Sequence, residues 1–310
     1  MNTPNLKVDL GRGLMLANPV IAASGTYGYG TEYAGICPPQ DWGGVVLKSV
    51  SLHPRIGNVP QRISETPCGM LNSIGLANVG VSTFLGTKLG DLKDFINLGA
   101  VVVANLAGES INEFAELTRR ISDDGRVRAL EINISCPNVS RGGMQFGIDC
   151  TLAAEVVSAC RKHTSLPLWV KLSPNVTDPV SIARSCVDAG ADVLVATNTL
   201  LGMKIDVMNR KPTLGNIFGG LSGPAIRPVS LRIAWQIHQA LPNVPLIGCG
   251  GVEDANSALE YILAGCSAVE VGTATFREPR VLYTVLDGMK SYMEIAGIGS
   301  VRELIGAAAR

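Results

Sequence analysis

The sequence predicts an α/β fold, a (β/α)₈ TIM barrel with inserted loops at its C-terminal mouth, with residues 1–310 forming a single domain. Three observations predict it. Short, nearly continuous apolar runs alternate with longer amphipathic ones, as expected when strands are buried on both faces of a parallel sheet and helices cover it. The alternation repeats eight times within a length that one barrel often fills. The first strand turn lacks the G-x-G-x-x-G fingerprint that would favour the alternative, an open doubly wound sheet.

The strands are expected, in order, at NPVIAAS (18–24), GGVVLKS (43–49), VVVANLA (101–107), ALEINIS (129–135), LWVKLS (168–173), VLVATNT (193–199), PLIGCGG (245–251) and AVEVGTA (268–274). Helical spacing follows several of them. In SINEFAELTRRISDD, Ile111, Phe114, Ala115, Leu117 and Ile121 share a face, and Ser110 is placed to cap it. DCTLAAEVVSACRKH has the same pattern, as does DPVSIARSCVDAG, which closes on a glycine. Two connections, near Ser51–Leu89 and Leu200–Pro228, are too long for plain loops and suggest lids or small inserted elements.

Hydrophobic residues make up 46% of the chain and charged residues 17%, with a formal net charge of zero. That balance gives no electrostatic footprint for nucleic acid or an anionic membrane. No run reaches the length of a membrane span, and the start, MNTPNLKVDLGRG, lacks the pattern of a secretory signal. The eight cysteines show no C-x-x-C pair and no metal-ligand spacing, as for thiols of a reduced cytoplasm, and no metal site is expected.

In a barrel, chemistry gathers where the strands end. These ends carry Ser24, Lys48 and Ser49, Asn105, Asn133 with Ser135 and Cys136, Lys171, Thr197 to Thr199, Gly250-Gly251, and Gly272-Thr273. Serines, asparagines and glycines also serve turns, so each alone says little. Lysines following Val/Leu runs are harder to dismiss, and Lys48 and Lys171 are each expected to face an anion or an electron-rich ring at the mouth. Glycines at the last two ends let backbone N–H groups approach a phosphate. His53, His163 and His238 fall away from the strand ends, and the last two are expected on the surface. A phosphate cradle, lysines and amides without histidine fit a flavin.

Taken together, the motifs resemble the catalytic, FMN-binding subunit of dihydroorotate dehydrogenase, class one, subgroup B. The resemblance covers nearly the whole chain and is carried by ASGTYGYG (23–30), VLKSVS (46–51), MLNSIGLANVG (70–80), EINISCPNVSRGG (131–143), VKLSPN (170–175), ATNTLLGM (196–203), GGLSGPAIRP (219–228), GCGG (248–251) and VGTA (271–274). It implies oxidation of (S)-dihydroorotate to orotate in pyrimidine synthesis. It implies FMN held by Ser24, Lys48, Ser49, Asn105, Asn133, Lys171, Thr197, Gly223, Gly250, Gly251, Gly272 and Thr273. Substrate would be held by Lys48, Asn72, Ser73, Ile74, Gly75, Leu76, Asn133, Asn198 and Thr199. Asparagines suit the alternating donors and acceptors of a pyrimidine, and Lys48 suits its carboxylate.

By the same resemblance Cys136 is the base that takes the C5 proton, and the loop Asn138–Gly143 folds over the substrate. Electrons would pass to a separate iron–sulfur and FAD subunit and then to NAD⁺, in a cytoplasmic heterotetramer of two catalytic and two partner subunits. Two rivals remain at this stage: a flavin barrel acting on dihydrouracil or dihydrothymine, and a non-redox phosphate-binding barrel. Ala77, Asn78 and Val79 depart from the pattern of many relatives and leave the lid details open.

Overall fold

The computed structural model describes residues 3–135 and 146–309. Eight parallel strands close into a barrel in chain order. They are β1 (Val20–Ala22), β2 (Gly44–Val46), β3 (Val102–Leu106), β4 (Ala129–Asn133), β5 (Leu168–Lys171), β6 (Val193–Ala196), β7 (Leu246–Cys249) and β8 (Ala268–Val271). Each lies within one of the eight apolar runs, and almost every strand residue is buried, because helices cover one face and the barrel interior the other. Strand register sets the polar geometry of the interior: Asn105 lies opposite Glu131, Asn133 opposite Lys171, and Cys249 opposite Glu270.

Among the described residues six longer helices pack outside: α1 (Ile111–Ser122), α2 (Cys150–Arg161), α3 (Pro179–Asp188), α4 (Arg227–Ala240), α5 (Ala255–Leu263) and α6 (Val281–Ala296). Ser110 caps α1 as its sequence suggests, its hydroxyl accepting from the Glu113 N–H at 3.2 Å. Asp149 and Asp178 cap α2 and α3 in the same way. Gly190, in the left-handed region, follows α3.

The strand–helix alternation is not complete. Among the described residues no α-helix lies between β1 and β2, only a short 3₁₀ turn at Pro39–Asp41. The segment is broken by glycines and by Pro38-Pro39, and it buries Tyr27, Cys37 and Trp42 against the barrel instead of an amphipathic helix face. His163 is exposed as expected, but His238 is half-buried. Its Nδ1 is enclosed without a partner among the described residues, and burial pulls the imidazole below its usual range.

The two long connections meet. Ile63–Thr66 and Gly69–Asn72, from the segment after β2, join Leu200–Met203 and Phe218–Ser222, from the segment after β6, in one four-stranded antiparallel sheet. The junction pairs Asn72 with Gly220 and Leu71 with Leu221. Glycine is required at 220, since a Cβ there would run into the Thr199 side chain. This sheet stands over the C-terminal end of the barrel and supplies one wall of the cavity below it. Among the described residues no helix is long and apolar enough to cross a membrane.

Candidate active site

A cavity of about 390 Å³ opens at the C-terminal ends of the strands. Of the residues singled out in the sequence, it is lined by Ser24, Lys48, Ser49, Asn105, Asn133, Lys171, Thr197, Asn198, Thr199, Gly223, Gly250, Gly251, Gly272 and Thr273. Asn72, Ile74, Gly75 and Leu76 line it from the inserted sheet and the loop that follows. Ser73 does not. It is fully buried just past the end of the strand Gly69–Asn72, where its hydroxyl accepts from Asn58 Nδ2 at 2.9 Å. Cys136 and the loop Asn138–Gly143 lie outside the described residues.

One end of the cavity is backbone. Gly250 and Gly251 follow β7 with φ of 137° and 72°, and Gly223 has φ of 91°. The Tyr261 hydroxyl, from α5, donates to the Gly250 carbonyl at 2.7 Å and fixes that turn. The Thr273 hydroxyl donates to Ser222 Oγ at 2.7 Å and ties β8 to the inserted sheet. A Cβ at Gly251 would lie 2.8 Å from Arg227 Cβ and 2.9 Å from the Gly223 carbonyl, so this glycine is needed by the fold itself. At Gly272 a Cβ would meet nothing closer than 3.6 Å, which leaves the backbone there open for a bound group to approach.

Elsewhere the lining is polar side chains. Asn133 Oδ1 accepts from Ser135 Oγ at 3.0 Å, and Asn198 Nδ2 donates to Ser135 Oγ at 2.9 Å, so Ser135 ties the two amides together. Thr197 shares a hydrogen bond of 2.9 Å with Ser230. Lys48 is half-buried, and its ammonium has no ion-pair or hydrogen-bond partner among the described residues. A free cation on a cavity wall suits an anionic ligand.

Lys171 faces anions inside the barrel. It does line the cavity, but its ammonium is turned to the chain's own carboxylates, paired with Glu270 and 3.8 Å from Glu131. Burial works against its charge, but the neighbouring acidic groups, Glu131 and Glu270 among them, outweigh burial and hold its pKa above the usual lysine value. The sequence reasoning missed Glu131 and Glu270. The available signal was a single acid in the middle of each of two strands built mainly from apolar residues. It also missed Ser222 and Cys249, both of which line the cavity.

The family model described as dihydroorotate dehydrogenase matches residues 6–293. The chain belongs to the dihydroorotate dehydrogenase family. Among relatives of this family, it is 52% identical over 304 residues to "Dihydroorotate dehydrogenase B (NAD(+)), catalytic subunit" of Pelobacter propionicus, covering 98% of each chain. It is 50% identical over 307 residues to the protein of the same description from Geotalea uraniireducens, covering 99% of each. A solved dihydroorotate dehydrogenase from Eimeria tenella, in complex with ferulenol, superposes with a TM-score of 0.84 over 99% of this chain and 89% of its own. At 24% identity that last likeness speaks to the barrel alone.

Proposed function

We propose that the chain is the catalytic subunit of an NAD⁺-linked dihydroorotate dehydrogenase, oxidising (S)-dihydroorotate to orotate in pyrimidine biosynthesis. The arrangement of the cavity carries this reading. Lys48, unpaired among the described residues, and the amides Asn72, Asn133 and Asn198 share one space with the glycine turns after β7 and β8. The amides match the ring donors and acceptors of a dihydropyrimidine, and Lys48 matches its carboxylate. Dihydrouracil and dihydrothymine carry no carboxylate and would leave Lys48 idle.

The redox group in this reading is FMN. Two features of the structure fit a phosphorylated, planar group: the open backbone at Gly272 beside Thr273, and Asn105, whose buried Oδ1 lacks a partner among the described residues. Gly223, Gly250, Gly251, Gly272 and Thr273 would hold the phosphate end, and Ser24, Ser49, Asn105, Asn133, Lys171 and Thr197 the ring. When bound, FMN accepts the hydride from C6 of the substrate.

The chain's own residues do the rest. Lys48 and the amides orient the ring so that C6 faces the acceptor. Cys136, given its role by resemblance to the family, takes the C5 proton, which the adjacent carbonyl acidifies. Residues 1–310 act as one domain, because the inserted sheet takes strands from both halves of the chain and lines the same cavity as the barrel. Electrons leave through a partner subunit carrying iron–sulfur and FAD groups, in a cytoplasmic assembly of two catalytic and two partner subunits.

The test is rapid-mixing reduction of the purified yellow protein by dihydroorotate and by dihydrouracil, without oxygen. Fast bleaching by dihydroorotate alone is expected; a colourless protein, or equal reduction by both, overturns the reading. Cys136→Ala should retain flavin and orotate binding and slow reduction by ~10²–10⁴-fold, the usual loss for a positioned acid or base. A rate within a few-fold of the parent removes Cys136 from the mechanism.

A further inference from the structure

Beneath the cavity floor, the barrel interior encloses two carboxyl groups opposite one ammonium. Glu131 on β4 and Glu270 on β8 have no solvent exposure, and Lys171 on β5 is 5% exposed. The Lys171 ammonium pairs with Glu270 Oε2 and lies 3.8 Å from Glu131 Oε1. Asn105 Nδ2, from β3, donates to Glu131 Oε1 at 2.5 Å. Cys249, from β7, faces the same set, and burial together with the nearby carboxylates pushes its thiol up, so it carries no charge there.

Were both carboxyls ionised, the group would hold a net charge of −1 out of reach of bulk solvent, the arrangement that buried ion pairs avoid. Glu131 Oε2 and Glu270 Oε1 are each enclosed without a hydrogen-bond partner among the described residues. Two buried carboxyls gathered on one ammonium carry one charge more than it neutralises, and burial opposes ionising both near neutrality.

We propose that Glu131 and Glu270 share a single proton inside the barrel, making with Lys171 a neutral set that holds the ammonium at the cavity floor and fixes the charge felt by a group bound above it. The proton cancels the excess charge and gives the orphaned oxygens a donor. Burial and the neighbouring Glu270 both push the Glu131 carboxyl well above the usual range, in keeping with this geometry. The shared proton belongs to the pair and not to either residue. Lys171, Asn105 and Cys249 stand between the pair and the cavity, so the carboxyls act on a bound group through them. The effect on a bound group rests on the flavin reading above; the shared proton does not.

Infrared spectroscopy of the purified protein at pH 8 tests the proton directly. The parent should show the carbonyl stretch of a protonated carboxylic acid, and ¹³C-glutamate labelling should move it. Glu131→Gln and Glu270→Gln should each abolish it, because the one remaining carboxylate ionises against Lys171. A parent without such a band, or a band that survives both substitutions, overturns the proposal. If neither variant folds, the labelled parent decides: an absent or unmoved band refutes the shared proton. The charge arm uses the bound flavin's midpoint potential. A glutamine imitates the neutral acid, so each variant should change the reduction equilibrium by less than tenfold, ~30 mV for a two-electron couple. A larger rise in both variants would mean two ionised carboxylates in the parent and refute the proposal. A colourless protein would defeat the flavin reading alone and leave the infrared result standing.

Discussion

At the scale of single residues, the cavity separates glycines that serve the fold from glycines that serve a ligand. Substitution at Gly251 strains a left-handed backbone position packed against Arg227 and Gly223, so loss of cofactor there would say little about phosphate. Gly272 discriminates better. Gly272→Val should fold, because the space beside it belongs to the cavity, yet yield protein with little flavin, as read from absorbance per protein. Lys48→Ala should keep flavin and raise KM for dihydroorotate by about tenfold to a hundredfold, the ~1.5–3 kcal/mol of a charged hydrogen bond. An unchanged KM with reduced flavin content would make Lys48 a cofactor ligand only. Glu131 gives a pH prediction. Its folded pKa is raised, so the stability it contributes is complete below ~4.3, its unfolded value, and is lost as pH climbs toward the folded value. Glu131→Gln should therefore flatten the fall in unfolding free energy as pH rises above ~4.3, by at most one proton, about 1.4 kcal/mol per pH unit. Strand-end residues were legible because barrels place chemistry there. Glu131 and Glu270 were not, because their meaning lies in barrel closure, which brings β4, β5 and β8 around one point. Cys136 took its role only from resemblance; nothing in its spacing demanded it.

At the scale of elements, local signals were dependable wherever the stabilising contact is local. Ser110, Asp149 and Asp178 all cap helices within a few residues of themselves, and such pairs are written into short stretches of sequence. Asp254 goes further, forming a reciprocal capping box with Ser257 at the start of α5. Asp254→Ala should cost about 1 kcal/mol. Since α5 carries Tyr261, whose hydroxyl holds the Gly250 carbonyl, it should also weaken flavin retention, measurable by dialysis against the parent. Stability loss with full flavin retention would separate the cap from the turn. The inserted sheet was legible only as two overlong connections. Its pairing of Asn72 with Gly220 joins segments far apart in the chain, and no local pattern announces which distant strand an edge will accept.

At the scale of the whole molecule, the same sheet bears on the order in which the protein is made. Synthesis proceeds at ~5–20 residues per second, so the hairpin 63–72 waits on the order of ten seconds for its partner strand Phe218–Ser222 to emerge. Until then it is an isolated two-stranded ribbon, marginal in water, with an open edge beside an unclosed barrel. The barrel faces a similar delay, because β1 finds its second neighbour, β8, only when residues 268–271 exist. Pulse-labelled hydrogen exchange during refolding should therefore show amides of 69–72 gaining protection no earlier than those of β6. Earlier protection would mean that the hairpin forms independently. A chain whose cavity needs both the inserted sheet and the closed barrel can bind ligand only after the barrel is nearly whole, and ligand added during refolding should then slow unfolding without hastening collapse.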